Sequence, residues 1–240
     1  MRVAIFSDIH SNAPALEAAL RAVGAFDQLW VLGDIVGYGP HPDEVVEQLR
    51  EVDAVAVQGN HDAAVLGRIP TGAFNDLARA AVEWTAETMK SANLDWLAQQ
   101  PETRVEGDFT LVHGSPRDPI WEYLFSVPAA RINLAAFHTP YCLVGHTHHQ
   151  LTFRDDDGQV EALPARDGDR LTLDVRRCIL NPGSVGQPRD GDPRACAMTI
   201  DTESAEVEWL RFDYDIKATQ AAIRATALPG RLADRLEMGV

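Results

Sequence analysis

Five short apolar runs, each broken off by polar or charged residues, constrain this chain more than any other feature of its sequence. Val3-Ala4-Ile5-Phe6 runs into Ser7-Asp8-Ile9-His10, and Leu29-Trp30-Val31-Leu32 into Gly33-Asp34. Ala54-Val55-Ala56-Val57 leads to Gly59-Asn60-His61-Asp62, Phe109-Thr110-Leu111-Val112 to His113-Gly114, and Tyr141-Cys142-Leu143-Val144 to Gly145-His146-Thr147-His148. Short runs without alternation read as strands covered on both faces, as in parallel sheets. Open α/β sheets bind ligands beyond the carboxyl ends of such strands. The polar residues after the runs are therefore expected to converge on one rim of one sheet.

The intervening segments fit that reading. Ser11 or Asn12 can cap a helix that has Pro14 in its first turn, Leu16, Ala19, Leu20 and Val23 on one face, and Gly24 at its end. Residues 42–52 read as a second helix with Val45, Val46 and Leu49 inward. No strand is expected over 63–100, where helices at 75–89 and 93–99 form an insertion beside the strand ends, with Trp84 and Trp96 as core residues. A hairpin through Gly107-Asp108 and a helix over 127–137 follow. Beyond His149 the period changes. Short runs at 151–154, 160–163, 171–175, 178–180, 195–200 and 207–212 suggest a second, largely antiparallel sheet packed on the first. Asp155-Asp156-Asp157-Gly158 lacks the rest of a calcium loop and reads as a hairpin turn. Helices at about 217–227 and 231–238 close the chain. The expectation is one α/β (α+β) domain over residues 1–240, with a cap-like helical insertion at about 63–100 and C-terminal helices at about 215–240.

The formal net charge of −15 argues against bulk nucleic-acid binding or attachment to an anionic membrane. It does not exclude a phosphate substrate, because a bound cation reverses the local sign of an acidic site. Cys142, Cys178 and Cys196 each sit in an apolar run and read as buried thiols. Asp8 comes too early for a signal peptide, and no run is long enough to cross a membrane. A cytoplasmic protein is the expectation.

The strand-end residues themselves carry the chemistry. They are Asp8 and His10, Asp34, Asn60, His61 and Asp62, His113, and His146 and His148, and they include five of the eight histidines. Carboxylate, imidazole and amide oxygen without thiolate suit Mn, Fe, Zn or Ni better than a structural zinc cage. Seven candidate ligands are too many for one catalytic ion, whereas two ions sharing a carboxylate use them. Such a pair, roughly 3.5–4 Å apart, polarises phosphoryl oxygens and supports in-line displacement, so a phosphoester is the expected substrate. The alternation Asp8/His10 and His146/His148 would place each pair on one side of an extended backbone.

Asp8-x-His10, Gly33-Asp34, Gly59-Asn60-His61-Asp62, His113-Gly114 and Gly145-His146-x-His148 resemble, in order, the motifs of the calcineurin-like metallophosphoesterase superfamily. The match spans about residues 1–190 and looks like the small bacterial and archaeal phosphodiesterase-like branch. The resemblance implies a two-sheet αββα sandwich and two divalent cations, Mn first among Mn, Fe, Zn, Ni and Co. One ion would be held by Asp8, His10, Asp34 and His148, and the other by Asp34, Asn60, His113 and His146. A hydroxide bridging them with Asp34 would attack phosphorus. His61 would contact the phosphate and protonate the leaving oxygen, with Asp62 orienting it or stabilising its charge.

The Val-Asp-Arg-Gly that usually follows the Gly-Asp motif in protein phosphatases of the superfamily is absent, and Gly37-Tyr38-Gly39-Pro40 stands in that region. This favours phosphodiesters or nucleotide polyphosphates over phosphomonoesters and phosphoproteins. A non-catalytic scaffold or a metal-storage protein would be the readings of another class. The glycine-rich loop at 181–189 offers backbone N–H groups and Arg189 to a phosphate, or is simply a tight turn between antiparallel strands. His41, His138 and His149 match no motif position.

Overall fold

The computed structural model describes residues 1–240. In chain order the elements are β1 (Arg2–Phe6), α1 (Ala13–Val23), β2 (Gln28–Val31), α2 (Pro42–Glu51), β3 (Val55–Ala56) and α3 (Asn60–Val65). Then come α4 (Asp76–Thr88), α5 (Ser91–Ala98), β4 (Thr103–Glu106), β5 (Phe109–Val112), α6 (Val127–Leu134) and β6 (Tyr141–Leu143). The remainder is β7 (Gln150–Asp156), β8 (Gln159–Pro164), β9 (Arg170–Thr172), β10 (Cys178–Pro182), β11 (Ala195–Asp201), β12 (Glu206–Phe212), α7 (Ile216–Arg224) and α8 (Arg231–Asp234).

Two six-stranded mixed sheets face each other, in the orders β3-β2-β1-β11-β12-β9 and β4-β5-β6-β10-β7-β8. The period-2 alternation of β1 explains the layering. Val3 and Ile5 point between the sheets with Trp30, Leu111, Leu143, Leu180 and Met198. Ala4 and Phe6 point outward to a larger core under the helices, with Leu16, Val45, Leu49, Ala81 and Ile223. The outer face of the other sheet is covered by α6, where Ala130 and Leu134 meet Cys142, Phe153 and Ile179. The result is the αββα sandwich that the motifs implied.

The sequence reading fails on how the strands are shared. The C-terminal strands do not build a sheet of their own. β11 pairs antiparallel with β1, with Ile5 opposite Met198, and draws β12 and β9 into the first sheet. β10 joins β6 in parallel and β7 antiparallel in the second sheet. Each sheet thus contains three parallel strands, β1, β2 and β3 in one and β5, β6 and β10 in the other. Their carboxyl ends meet on a common edge, so the polar segments converge between two sheets rather than on the rim of one.

Local signals set the ends of α1. The Asn12 side chain accepts a hydrogen bond from the Ala15 N–H, and Gly24 at φ 67° ends the helix. All three cysteines are buried free thiols. No helix is long and apolar enough to cross a membrane.

The two sheets are in close contact at their shared edge. A Cβ on Gly145, just after β6, would lie 1.9 Å from Ser7 Oγ and 2.9 Å from Asp8 Oδ2, just after β1. Gly145→Ala should therefore destabilise the fold by about 1–3 kcal/mol or more, as overpacking of a closed contact does. The check is the thermal unfolding midpoint against Gly72→Ala, whose added Cβ meets nothing within 4 Å and which should be silent.

Candidate metal centre

Backbone geometry at the strand ends aims the side chains. Asp8, His10, Asp34, His146 and His148 have φ of 53°, 49°, 49°, 63° and 61°. These are left-handed conformations, not the extended backbone expected from the i, i+2 alternation. Each costs on the order of 1–3 kcal/mol for a residue with a Cβ and persists only where the surroundings over-determine it.

Reciprocal hydrogen bonds do that here. The loops after β1 and β2 join through Asp8 N–H to Gly33 O at 3.1 Å, His10 N–H to Asp34 O at 3.0 Å and Ser11 N–H to Ile35 O at 3.0 Å. The loop after β6 is fixed by Gly145 N–H to His113 O at 2.8 Å and by His146 N–H to Asp8 Oδ2 at 3.1 Å. Asn60, His61 and Asp62 form the first turn of α3 rather than a free loop, and the His61 N–H donates to Asp34 Oδ1 at 2.9 Å. Gly59 permits that approach, since a Cβ there would stand 2.2 Å from the same oxygen.

All seven candidate ligands are buried and face one another. Asp8, His10, Asp34 and His148 form one group that could hold a metal ion, and Asp34, His113 and His146 form another. In the first, Asp8 Oδ1 is 3.1 Å from His148 Nε2, Asp34 Oδ2 is 3.6 Å from His10 Nε2, and the two Nε2 atoms are 3.3 Å apart. In the second, His113 Nε2 lies 3.4 Å from Asp34 Oδ2, 3.0 Å from His146 Nδ1 and 3.2 Å from Asn60 Oδ1. Asp34 belongs to both. The Nδ1 atoms of His10, His113 and His148 lie against the carbonyls of Val36, Leu32 and Gln187. Such bonds fix the tautomer and turn Nε2 to the centre, as at metal-bound imidazoles.

Asp8 Oδ1 is buried at the centre beside His148 Nε2 and makes no hydrogen bond of good geometry. Orphaned buried donors and acceptors are expensive, and a divalent cation suits this oxygen and nitrogen donor set. The residues fit a metal.

The electrostatics are those of one coupled cluster. Burial disfavours the charged form of His10 and His148 and holds the His146 imidazole down to about 3. Burial opposes the charge on His113 as well, but Asp34 outweighs it and raises that imidazole to about 9. Burial alone would raise Asp34, yet His113 and His61 hold it well below its ordinary value. Asp8 is lowered in the same way, His148 overcoming burial. Deprotonated carboxylates and largely neutral imidazoles are the forms that metals bind. The proton on His113 competes with a cation for Nε2.

Asp62 is held by backbone donors. Its carboxylate accepts from the N–H groups of Gly59 at 2.9 Å, Ile35 at 3.2 Å and Val36 at 3.0 Å, and none of its hydrogen bonds goes to His61. It clamps the loop after β2 to the start of α3. Burial and the nearby Asp34 charge push its carboxyl up to about 7. His61 is packed among Tyr38, Phe74 and His10, with ring centroids 4.4, 5.1 and 4.9 Å away, and burial lowers it to about 4.

The 181–189 loop is likewise committed to the scaffold. Val185 and Gly186 donate their N–H groups to Ser7 O and Asp8 O, Ser184 Oγ donates to Asp8 O, and Asn181 Nδ2 donates to Gly145 O. Only Arg189 reaches the cleft over the centre, about 80 Å³ in volume and also lined by Asp34, Asn60, His61, Phe74 and Tyr123. Phe74 and Asn75 bring the segment between α3 and α4 to this cleft. Three neighbours escaped the sequence reading. Tyr38 lies under the guanidinium groups of both Arg189 and Arg235, at 5.7 and 5.6 Å, and Tyr123 stacks on His146. Only Tyr38, between two glycines after Gly33-Asp34, carried a local signal. A larger cavity of about 440 Å³ lies at the opposite ends of the strands, by Met1, Trp30 and Phe109, and contains no candidate ligand.

A two-sheet sandwich whose parallel strands deliver buried carboxylates and imidazoles to one edge is the architecture of metallophosphoesterases. The chain belongs to the calcineurin-like phosphoesterase superfamily, whose domain model matches residues 1–205. It resembles the crystal structure of a metallophosphoesterase from Sphaerobacter thermophilus, with a TM-score of 0.92 and 45% identity over 100% of this chain and 99% of that one. An uncharacterised protein of Methanocaldococcus jannaschii is 35% identical over 99% of this chain and 98% of its own length. A symmetrical bis(5'-nucleosyl)-tetraphosphatase of Vibrio campbellii is 30% identical over 129 residues, 51% of this chain and 47% of that protein.

The Asp62 clamp makes a distinct prediction. Asp62→Ala would strand three buried N–H groups and should lower the unfolding free energy by about 3 kcal/mol or more in denaturant titration. A side chain serving His61 alone would leave that stability unchanged.

Proposed function

We propose that this protein is a dimetal-dependent phosphoester hydrolase acting on small phosphodiesters or nucleotide polyphosphates. The observation that carries the reading is Asp34, which lies between two groups of buried donors and belongs to both. Asp8, His10, Asp34 and His148 would hold one ion, and Asp34, Asn60, His113 and His146 the other. Bound there, two divalent cations, Mn first among the candidates, would supply Lewis-acid polarisation of the phosphoryl group and a nucleophile at neutral pH.

The chain's own residues do the rest. The ligand side chains are fixed before substrate arrives, so little reorganisation accompanies the reaction. Arg189 lines the cleft and offers its guanidinium to a phosphate oxygen. His61 lines the same cleft with its ring fixed by Tyr38 and Phe74, and it would hand a proton to the departing oxygen. Burial keeps it neutral at ordinary pH, and a phosphate anion beside it would favour the protonated form. Tyr38, Phe74 and Trp121 wall the cleft with aromatic surface that limits water. Asp62 acts through the backbone it clamps.

The absence of Val-Asp-Arg-Gly after Asp34 supports diesters and polyphosphates over phosphoproteins. The partial similarity to a bis(5'-nucleosyl)-tetraphosphatase supports the same side.

Two outcomes test the reading. Bis-p-nitrophenyl phosphate and p-nitrophenyl phosphate should be hydrolysed with at least one of Mn, Ni, Co, Fe or Zn, the diester faster. No turnover with any of them would refute it. His61→Ala should still bind metal, measured by equilibrium dialysis, yet lose roughly 10²–10⁴-fold in turnover of esters with poor leaving groups. Full activity on an alkyl ester would remove His61 from the proton-transfer role.

A further inference from the structure

Between His113 and α6 the chain supplies no candidate ligand, yet it leaves two aromatic rings in water beside the centre. Tyr123 is 46% exposed and Phe125 54% exposed, whereas the other exposed large hydrophobic side chains are aliphatic. The two rings are nearly parallel, 10° apart in plane with centroids at 5.9 Å. Tyr123 lies flat on the His146 ring, with centroids 3.7 Å apart and 20° between planes. Phe125 meets His149 edge to face at 5.4 Å. Together they extend a stack of π surface outward from His146, a ledge whose outer ring is Phe125. Tyr123 also lines the metal cleft, as does Arg189, whose Nε is buried without a partner.

Rings recruited for packing alone would be covered, and these are not. Apolar surface left exposed in this way gains by being covered. The shape of the ledge selects the cover. A flat π system stacks on it, and the anion-binding cleft at its inner end requires that this system be joined to a phosphate. We propose that Tyr123 and Phe125 form a stacking ledge for the nucleobase of a nucleoside phosphoester whose phosphate occupies the cleft beside Arg189. The inference rests on the phosphoesterase reading and adds to it a substrate class and the residues that select it. The rings read the face of a base rather than its edge, so the ledge discriminates nucleosides from non-nucleosides more than one base from another.

The test pairs a kinetic readout with a binding one. The first compares the p-nitrophenyl ester of thymidine monophosphate with methyl p-nitrophenyl phosphate, which shares its leaving group and diester but lacks the nucleoside. With Mn²⁺, the KM of the wild-type protein should be roughly ten- to a hundredfold lower for the nucleoside ester. The second compares adenosine monophosphate with ribose phosphate by calorimetry with Mn²⁺ present, each with its phosphoester oxygen replaced by a methylene group so that it cannot be hydrolysed, and the same preference should appear without turnover. Phe125→Ala and Phe125→Leu should both reduce the preference severalfold in both readouts and leave kcat and KM for the methyl ester unchanged. The leucine variant keeps apolar bulk but has no π face.

Equal binding of the two monophosphates by the wild-type protein, or a preference undiminished by both substitutions, overturns the ledge. The two proposals fail separately. If neither ester turns over with any metal while a Phe125-dependent preference for adenosine monophosphate persists, hydrolysis is refuted and the ledge stands. If both esters are hydrolysed equally well, hydrolysis stands and the ledge is refuted.

Discussion

The structure depends on holding buried carboxylates and imidazoles at strand ends in left-handed backbone conformations. Five of the seven candidate ligands are so placed. A strand end left to itself would not adopt them, because the Cβ of each crowds the following carbonyl. The loops hold one another instead. The Asp8 N–H and His10 N–H bond across to Gly33 and Asp34, Asp8 Oδ2 receives the His146 N–H, and Ser184 and Gly186 reach back to the Asp8 carbonyl. No loop at this edge is independent of the other sheet's loops, so the edge forms as one cooperative unit.

Charge follows from the same arrangement. Removing several ionisable groups from water is tolerated only where each charge has a counter-charge or a fixed donor. Asp34 illustrates the balance. Its Oδ1 accepts the His61 N–H while Oδ2 faces His10 and His113. The chain carries a formal net charge of −15, yet the centre is dominated by imidazoles and neighboured by Arg189 and Arg235. The acidic surplus lies elsewhere and sets no sign for what the cleft accepts.

Much of the candidate site was legible in the sequence because strand ends write it locally. An apolar run followed by Gly-Asp or Gly-His places the polar residue beyond the strand whatever the strand's neighbours are. Sheet membership was not legible. The runs at 195–200 and 207–212 carry no mark showing that β11 pairs with β1 across almost the whole chain, since pairing partners are set by long-range packing. Direction was also hidden. The spacing of Asp8 and His10 suggested a shared face of extended chain, but φ values near 50° give the convergence instead. The family resemblance implied that Asp62 orients His61 or stabilises its charge, and nothing in the local sequence announced its three hydrogen bonds to backbone N–H groups. Tyr123 and Phe125 lie in a connection without periodicity, where no pattern separates an exposed ring from a buried one.

The walls of the cleft and its floor come from different parts of the chain. Phe74 and Asn75 belong to the segment after α3, and Trp121 and Tyr123 to the segment before α6, while the candidate ligands hang from strand ends braced across both sheets. Apart from the rings of Phe74 and Tyr123, which rest on His61 and His146, those two wall segments can lengthen, shorten or exchange residues without disturbing the braced floor. Within one lineage, selectivity is therefore free to drift quickly while the chemistry beneath it stays fixed, and descendants of this fold can part company in what they accept long before they differ in what they do.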